Sequence, residues 1–189
     1  MGIQLTGSGS FTTQWSYNSA DLLESLTYPG GSNNQAGETL IYDYHPQMAL
    51  KSVYSSSGYY YVPGISYDAA GRVDVRKLGA VSLGVLPTLQ VDYDYFDWGL
   101  VNGQGRLKRI QAGPPGNSAG LLDLRYFSET NTPAYDAVEN LLKIYDFKTG
   151  SPQTQTYMYD ALDRLISASA DGTTGNYLED YTYDLTTGN

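Results

Sequence analysis

The chain has 189 residues, 41% of them hydrophobic and 13% aromatic, which is material for a core and unlike a charged, aromatic-poor disordered segment. Eleven Lys and Arg stand against 20 Asp and Glu, and the net charge of −9 disfavours nucleic acid and anionic lipid surfaces, which bind clustered basic side chains. Cysteine is absent, which excludes disulfide scaffolds, thiolate-ligated metals and thiol catalysis, while Tyr reaches 19 copies beside 21 Gly.

The first residues, Met1 to Ser8, hold neither a basic segment nor a long apolar run, so no signal peptide is expected within this chain. No stretch approaches the roughly 18 apolar residues of a membrane helix, so no membrane insertion is expected either. Beyond them the sequence is periodic. A Tyr followed by Asp, or once by Asn, recurs at Tyr17-Asn18, Tyr42-Asp43, Tyr67-Asp68, Tyr93-Asp94, Tyr135-Asp136, Tyr159-Asp160 and Tyr183-Asp184, in steps of 25, 25, 26, 42, 24 and 24. The residues after Tyr67, Tyr135 and Tyr159 align without gaps, which predicts a single array of about seven units over 1–189.

Each unit reads as strand, tight turn, strand. Pairs such as Tyr157 and Tyr159 share one strand face, the Asp opens the turn by accepting backbone N–H groups, and Gly71 suits a residue at positive φ. Arg72-Val73, Arg106-Leu107, Asn140-Leu141 and Arg164-Leu165 then open return strands.

In chain order, the first unit closes in a Gly- and Asn-rich loop from Pro29 to Gly37, and the second holds the lone histidine, His45, as a turn residue. Tyr59-Tyr60-Tyr61 is the one aromatic run outside the frame and, with Trp98, the candidate binding surface. Asp92 and Asp94 would share a strand face and are the candidate pair for a hard cation, against the plainer reading of a solvated acidic turn. The long fourth step is assigned to insertions near 95–104 and 111–132; Gly103-Gln104-Gly105 lacks the third glycine and helix of a dinucleotide site and reads as a hairpin turn. Spacing alone would allow a helix over 137–144, but its alignment with the Ala69 and Ala161 copies favours strand, turn, strand. The chain then stops after Tyr183-Asp184, where the frame expects a return strand, so the last repeat is expected to be truncated.

The Tyr-x-Tyr-Asp frame followed by Gly-Arg/Asn-Leu, with Leu26-Thr27-Tyr28-Pro29-Gly30 ending the first unit, resembles the YD repeats of the Rhs family, over about Phe11 to Asn189. That family includes Rhs toxins, the C components of Tc toxins, wall-associated proteins and teneurins. The resemblance implies an all-β fold, tandem hairpins forming one long curved antiparallel sheet that is an open segment of a shell. It also implies an extracellular or cell-surface location, and as partners the remainder of a longer YD-repeat chain or an encapsulated domain.

No Asp-Pro dipeptide occurs, so the self-cleavage residues of shell-closing members have no counterpart here. Tyr67, Asp68, Gly71, Arg72, Tyr93, Asp94, Tyr135, Asp136, Tyr159, Asp160, Arg164, Tyr183 and Asp184 are expected to build the repeat turns. No catalytic residue and no cofactor is expected. Two functions follow: a non-catalytic scaffold that encapsulates or displays a partner or toxin domain, or an adhesion module in which exposed Tyr and Trp side chains bind surface glycan or protein. Open sheet edges would also allow end-to-end association.

Overall fold

The computed structural model describes residues 11–30, 36–80, 82, 84–147 and 150–184. Residues 31–35 of the predicted first-unit loop, the segment 1–10 and the half repeat expected after Asp184 lie outside the described residues. Among the described residues every regular element is a β-strand, as the repeat frame predicts. The rival helix over 137–144 is instead the end of a turn followed by the start of a strand.

Contacts divide the chain into two units, Met1–Gln90 and Val91–Asn189. In the first, β1 (Gln14–Tyr17), β2 (Leu23–Pro29), β3 (Ala36–Tyr44), β4 (Leu50–Ser55) and β5 (Tyr60–Val62) lie side by side in chain order, and β6 (Gly64–Tyr67) and β7 (Val73–Leu78) form a further hairpin. The second is built on β8 (Leu89–Tyr95), β9 (Leu107–Gly113), β10 (Leu122–Arg125), β11 (Lys143–Asp146), β12 (Gln153–Tyr159), β13 (Leu165–Gly172) and β14 (Tyr177–Asp180), again neighbours in chain order. Strands that follow one another in sequence and pair at once need only tight turns, and the sequence supplies them.

One turn is used seven times among the described residues. Its first residue donates its N–H to the carbonyl four residues on, and the fourth residue donates back to the first, at Asn18–Leu22, His45–Ala49, Ser55–Tyr59, Asp68–Arg72, Ser128–Thr132, Asp136–Asn140 and Asp160–Arg164. The fourth residue is left-handed each time: Asp21 (φ 57°), Met48 (66°), Gly58 (94°), Gly71 (78°), Asn131 (60°), Glu139 (82°) and Asp163 (59°). This is the three-residue hairpin loop, a type I turn closed by a left-handed residue that bulges the return strand. The pairing register shifts beside it at Tyr17, Tyr44, Tyr67 and Tyr159.

The turns correct the predicted frame in two places. The second turn follows Tyr44-His45, and the fourth hairpin is closed by Phe96 N–H donating to the Arg106 carbonyl, so the turn-preceding tyrosines there are Tyr44 and Tyr95. Tyr42, Tyr93 and Asp94 lie inside β3 and β8. Tyrosines two apart share a face, so either register satisfies the alternation, and only the turn's hydrogen bonds decide. The predicted insertion over 111–132 is likewise ordered. It contains the end of β9, all of β10 and a Ser128 turn of the repeat type, hidden because Ser replaces Asp and Asn131 replaces Gly.

Successive repeats are joined by the tyrosine hydroxyls. Tyr44 donates to the Leu23 carbonyl at 2.8 Å, Tyr67 to Leu50 at 2.9 Å, Tyr135 to Leu107 at 2.9 Å, Tyr159 to Leu141 at 2.9 Å and Tyr183 to Leu165 at 2.7 Å. In every case the acceptor opens an earlier return strand, directly after the residue whose carbonyl closes a turn or loop: Leu22, Ala49, Arg106, Asn140 or Arg164. Few side chains are fully buried: in the second unit the apolar ones are Val91, Phe96, Ala112, Tyr126, Ala134, Ala168 and Ala170. Tyr135 stacks on Tyr126 with centroids 6.2 Å apart and meets Phe96 edge-on at 6.4 Å. Burial pushes the Tyr135 hydroxyl pKa up to about 12, with help from Tyr126 and against Arg106, which keeps the proton that the Leu107 carbonyl accepts.

Tyr159→Phe removes one hydroxyl bond and keeps the ring. It is expected to lower the unfolding free energy by about 1 kcal/mol, read as a Tm drop of about 2–4 °C. A Tm unchanged within error would make the hydroxyl incidental. Met48, left-handed and 61% exposed, gives the opposite test. Met48→Gly relieves a conformation that costs a non-glycine residue roughly 1–2 kcal/mol, offset by about 0.5–1 kcal/mol from the looser unfolded chain. Chemical denaturation of this variant is expected to show equal or higher stability than the parent.

Candidate functional site

Three of the motif aspartates, Asp68, Asp136 and Asp160, are spent on their turns. Asp68 Oδ1 accepts the N–H groups of Ala70 and Arg72, both at 2.9 Å, and Oδ2 accepts Arg72 Nε at 2.7 Å. Asp160 repeats this with Leu162 and Arg164 at 2.9, 3.0 and 2.8 Å. Asp136 binds the N–H groups of Val138 and Asn140, while its second oxygen takes Asn140 Nδ2 at 3.0 Å. All three carboxyls are held below the usual carboxylate range. The Arg72 side chain leads at Asp68 and the Arg164 backbone N–H at Asp160; at Asp136 partial desolvation opposes the shift and the Asn140 bonds outweigh it.

Neighbouring turns also touch. Asn140 Nδ2 donates to Asp163 Oδ1 at 2.9 Å, Arg106 pairs with Glu139 at 2.7 Å, and the Arg164 guanidinium lies 4.3 Å from the centre of the Tyr183 ring. Tyr183 is thereby tied both to the preceding return strand and to the preceding turn.

The other candidates are placed as follows. Tyr60 stacks on Tyr54 at 4.8 Å, whereas Tyr59 and Tyr61 meet edge-on at 5.0 Å on an exposed surface, where the Tyr61 hydroxyl donates to Glu38 at 2.7 Å. Trp98 is exposed in the loop between β8 and β9, with its ring against Gly105. A Cβ at Gly105 would stand 2.7 Å from that ring, and the φ of 75° also requires glycine. Asp92 and Asp94 lie in β8, and among the described residues no group of three or more His, Asp or Glu side chains gathers around a metal-sized point.

Asp123 was not singled out from the sequence, yet it anchors the most connected charged cluster. Arg109 and Arg125 are direct cross-strand partners on β9 and β10, a placement that is repulsive by itself. Asp123, two residues before Arg125 on the same face, resolves it. Its two oxygens take Arg109 Nε and Nη2, both at 2.7 Å, and Arg125 Nε and Nη2 at 3.2 and 2.7 Å. Burial alone would raise this carboxyl, which is only 5% exposed, but the two guanidinium groups win and hold its pKa down to about 2. The Asp-x-Arg spacing of Asp123 and Arg125 is visible in sequence; the arrival of Arg109 is set by strand register and is not.

Next to this cluster Arg125, Tyr145, Thr154 and Asp171 are consecutive cross-strand partners over β10 to β13. Directly opposed residues project to the same face, so these four form one row. The Ser128–Thr132 turn stands alongside, and an open cleft of about 550 Å³ lies between, lined by that row together with Phe147, Pro152 and Glu129. The Arg125 guanidinium sits 3.8 Å from the centre of the Phe147 ring.

No family model matches the chain, and no curated protein sequence matches it significantly. Its fold does have solved counterparts. The crystal structure of TcdB2-TccC3 is similar with a TM-score of 0.70 at 21% identity, covering 94% of this chain and 9% of that one. TcdB2-TccC3-TEV gives 0.60 at 16% identity, and TcdB2-TccC3-Cdc42 gives 0.61 at 16%, each covering 96% of this chain and 10% of the other. At such identities the likeness is one of fold.

Asp123 predicts an acid-sensitive stability. Its carboxyl titrates near 3.8 when unfolded and near 2 when folded, so the stabilisation is complete above about pH 4 and disappears as pH falls through 2. Two pKa units correspond to roughly 2–3 kcal/mol. Asp123→Asn is expected to destabilise the chain by at least about 2 kcal/mol at neutral pH and to flatten the difference curve between pH 5 and 2. Denaturation of both proteins at several pH values measures this, and parallel pH curves would contradict it.

Proposed function

We propose that the chain is a non-catalytic structural scaffold, a segment of a YD-repeat shell that encapsulates or displays a partner or toxin domain. The observation that carries this reading is the fold likeness to TcdB2-TccC3 over 94% of the chain. The internal chemistry agrees with it. Asp68, Asp136 and Asp160 have their oxygens committed to turns, and Tyr67, Tyr135, Tyr159 and Tyr183 have their hydroxyls committed to the neighbouring repeat, which is how a sheet is extended and not how a reacting group is activated. The chain spans 9% to 10% of the solved chains that it matches, so the remainder of the shell, its contents and an extracellular or cell-surface location belong to the proposal.

The native gene product, purified from its source and detected with an antibody against β11 to β13, tests the reading. A polypeptide much longer than 189 residues is expected, with this region surviving limited proteolysis as part of one large fragment that shields another domain, and without turnover in esterase, glycosidase and protease panels. A freestanding short product, or turnover abolished by Asp92→Asn or Asp94→Asn, would overturn it.

A further inference from the structure

The cleft in the second unit is not needed for joining repeats. Its volume of about 550 Å³ falls among ligand sites, which run from about 300 to 1,000 Å³. Its floor is polar in a fixed order: guanidinium at Arg125, hydroxyls at Tyr145 and Thr154, carboxylate at Asp171. At one end Arg125 is held by Asp123, which it shares with Arg109, through hydrogen bonds at 3.2 and 2.7 Å. At the other end Asp171 lines the cleft together with Glu129 from the Ser128 turn. Neither of these carboxylates has an ion-pair partner among the described residues.

We infer that this cleft binds a Lys- or Arg-bearing peptide segment, with the cationic head drawn to the Glu129 and Asp171 carboxylates that line it and its methylene stem on the Phe147 ring. Phe147 is 42% exposed and gives the stem an apolar platform, the usual way a long basic side chain covers apolar surface while its charge stays solvated. Three inter-strand steps of about 4.8 Å make the row about 14 Å long, the reach of roughly four extended residues. A phosphate or carboxylate ligand would meet two carboxylates that have no ion-pair partner among the described residues, and the one guanidinium of the row, Arg125, already holds Asp123. A net charge of −9 also draws a basic segment toward the chain. The inference stands apart from the scaffold reading, since it concerns binding by this chain alone.

Titration of the chain with acetylated, amidated tetralysine at low ionic strength, followed by amide NMR shifts, tests it. Shifts are expected on β11 to β13 and on the Ser128–Thr132 turn, with affinity falling as salt is added. The double variant Glu129→Gln, Asp171→Asn should weaken binding at least about tenfold. A control pair, Glu24→Gln with Asp74→Asn, removes the same charge elsewhere and should leave affinity within about twofold. Circular dichroism establishes that both variants fold. No saturable binding, equal binding of tetraserine or tetraglutamate, shifts outside the cleft, or equal loss in the two double variants would each overturn the inference.

Discussion

The hydroxyl bond from a tyrosine beside the turn, made by Tyr44, Tyr67, Tyr135, Tyr159 and Tyr183, is the interaction on which the joining of the repeats depends. A β-hairpin satisfies its own inner hydrogen bonds but is marginal alone, and it gains stability only when its outer edges are paired. The strand ladders supply that pairing along the strands, but at each turn the bulge shifts the register and leaves the first carbonyl of the return strand in need of a donor. Tyr159 and Tyr183 reach across from the next repeat and provide it, at Leu141 and Leu165. Phenylalanine would fill the same space and leave those carbonyls without this donor; it stands before only the Ser128 turn among the described turns, as Phe127.

That requirement explains why the sequence is so readable along the repeat and so ambiguous across it. A tyrosine and a turn-opening Asp recur because each makes bonds fixed by backbone geometry, and those bonds do not depend on distant residues. The all-β architecture could therefore be read from Tyr67-Asp68, Tyr135-Asp136 and Tyr159-Asp160 alone. The register slipped by two residues at Tyr42 and Tyr93 for a related reason. Strand faces repeat every two residues, so Tyr42 and Tyr44 look alike until His45 and Met48 are seen to make the turn. A Ser-opened turn at Ser128 escapes for want of any tyrosine-aspartate pair.

The charged cluster and the cleft were beyond the sequence because both are made by register. Asp123 and Arg125 are two residues apart, but Arg109 is opposite Arg125 only because β9 and β10 are joined by a loop of one particular length. Likewise Arg125, Tyr145, Thr154 and Asp171 are scattered over 47 residues and meet because three successive pairings align them. Periodicity predicts that strands pair; it does not predict which side chains stand opposite each other once insertions have changed the loop lengths.

Both features also sit where the repeat is least regular. Between β10 and β11 the chain makes two turns of the common type, at Ser128 and Asp136, and Ala134 is hydrogen-bonded between Tyr126 and Leu142. The additional hairpin lies beyond the end of the β10–β11 ladder, which itself still pairs directly at Leu124–Asp146 and Arg125–Tyr145. The same stretch carries the buried stack of Tyr126 and Tyr135 and borders the Asp123 cluster, so packing and charge pairing are added there to the strand ladder. The cleft is bounded by that hairpin: its Ser128–Thr132 turn and the row from Arg125 to Asp171 line the gap between them, and an array without the extra turn would lack one of its walls.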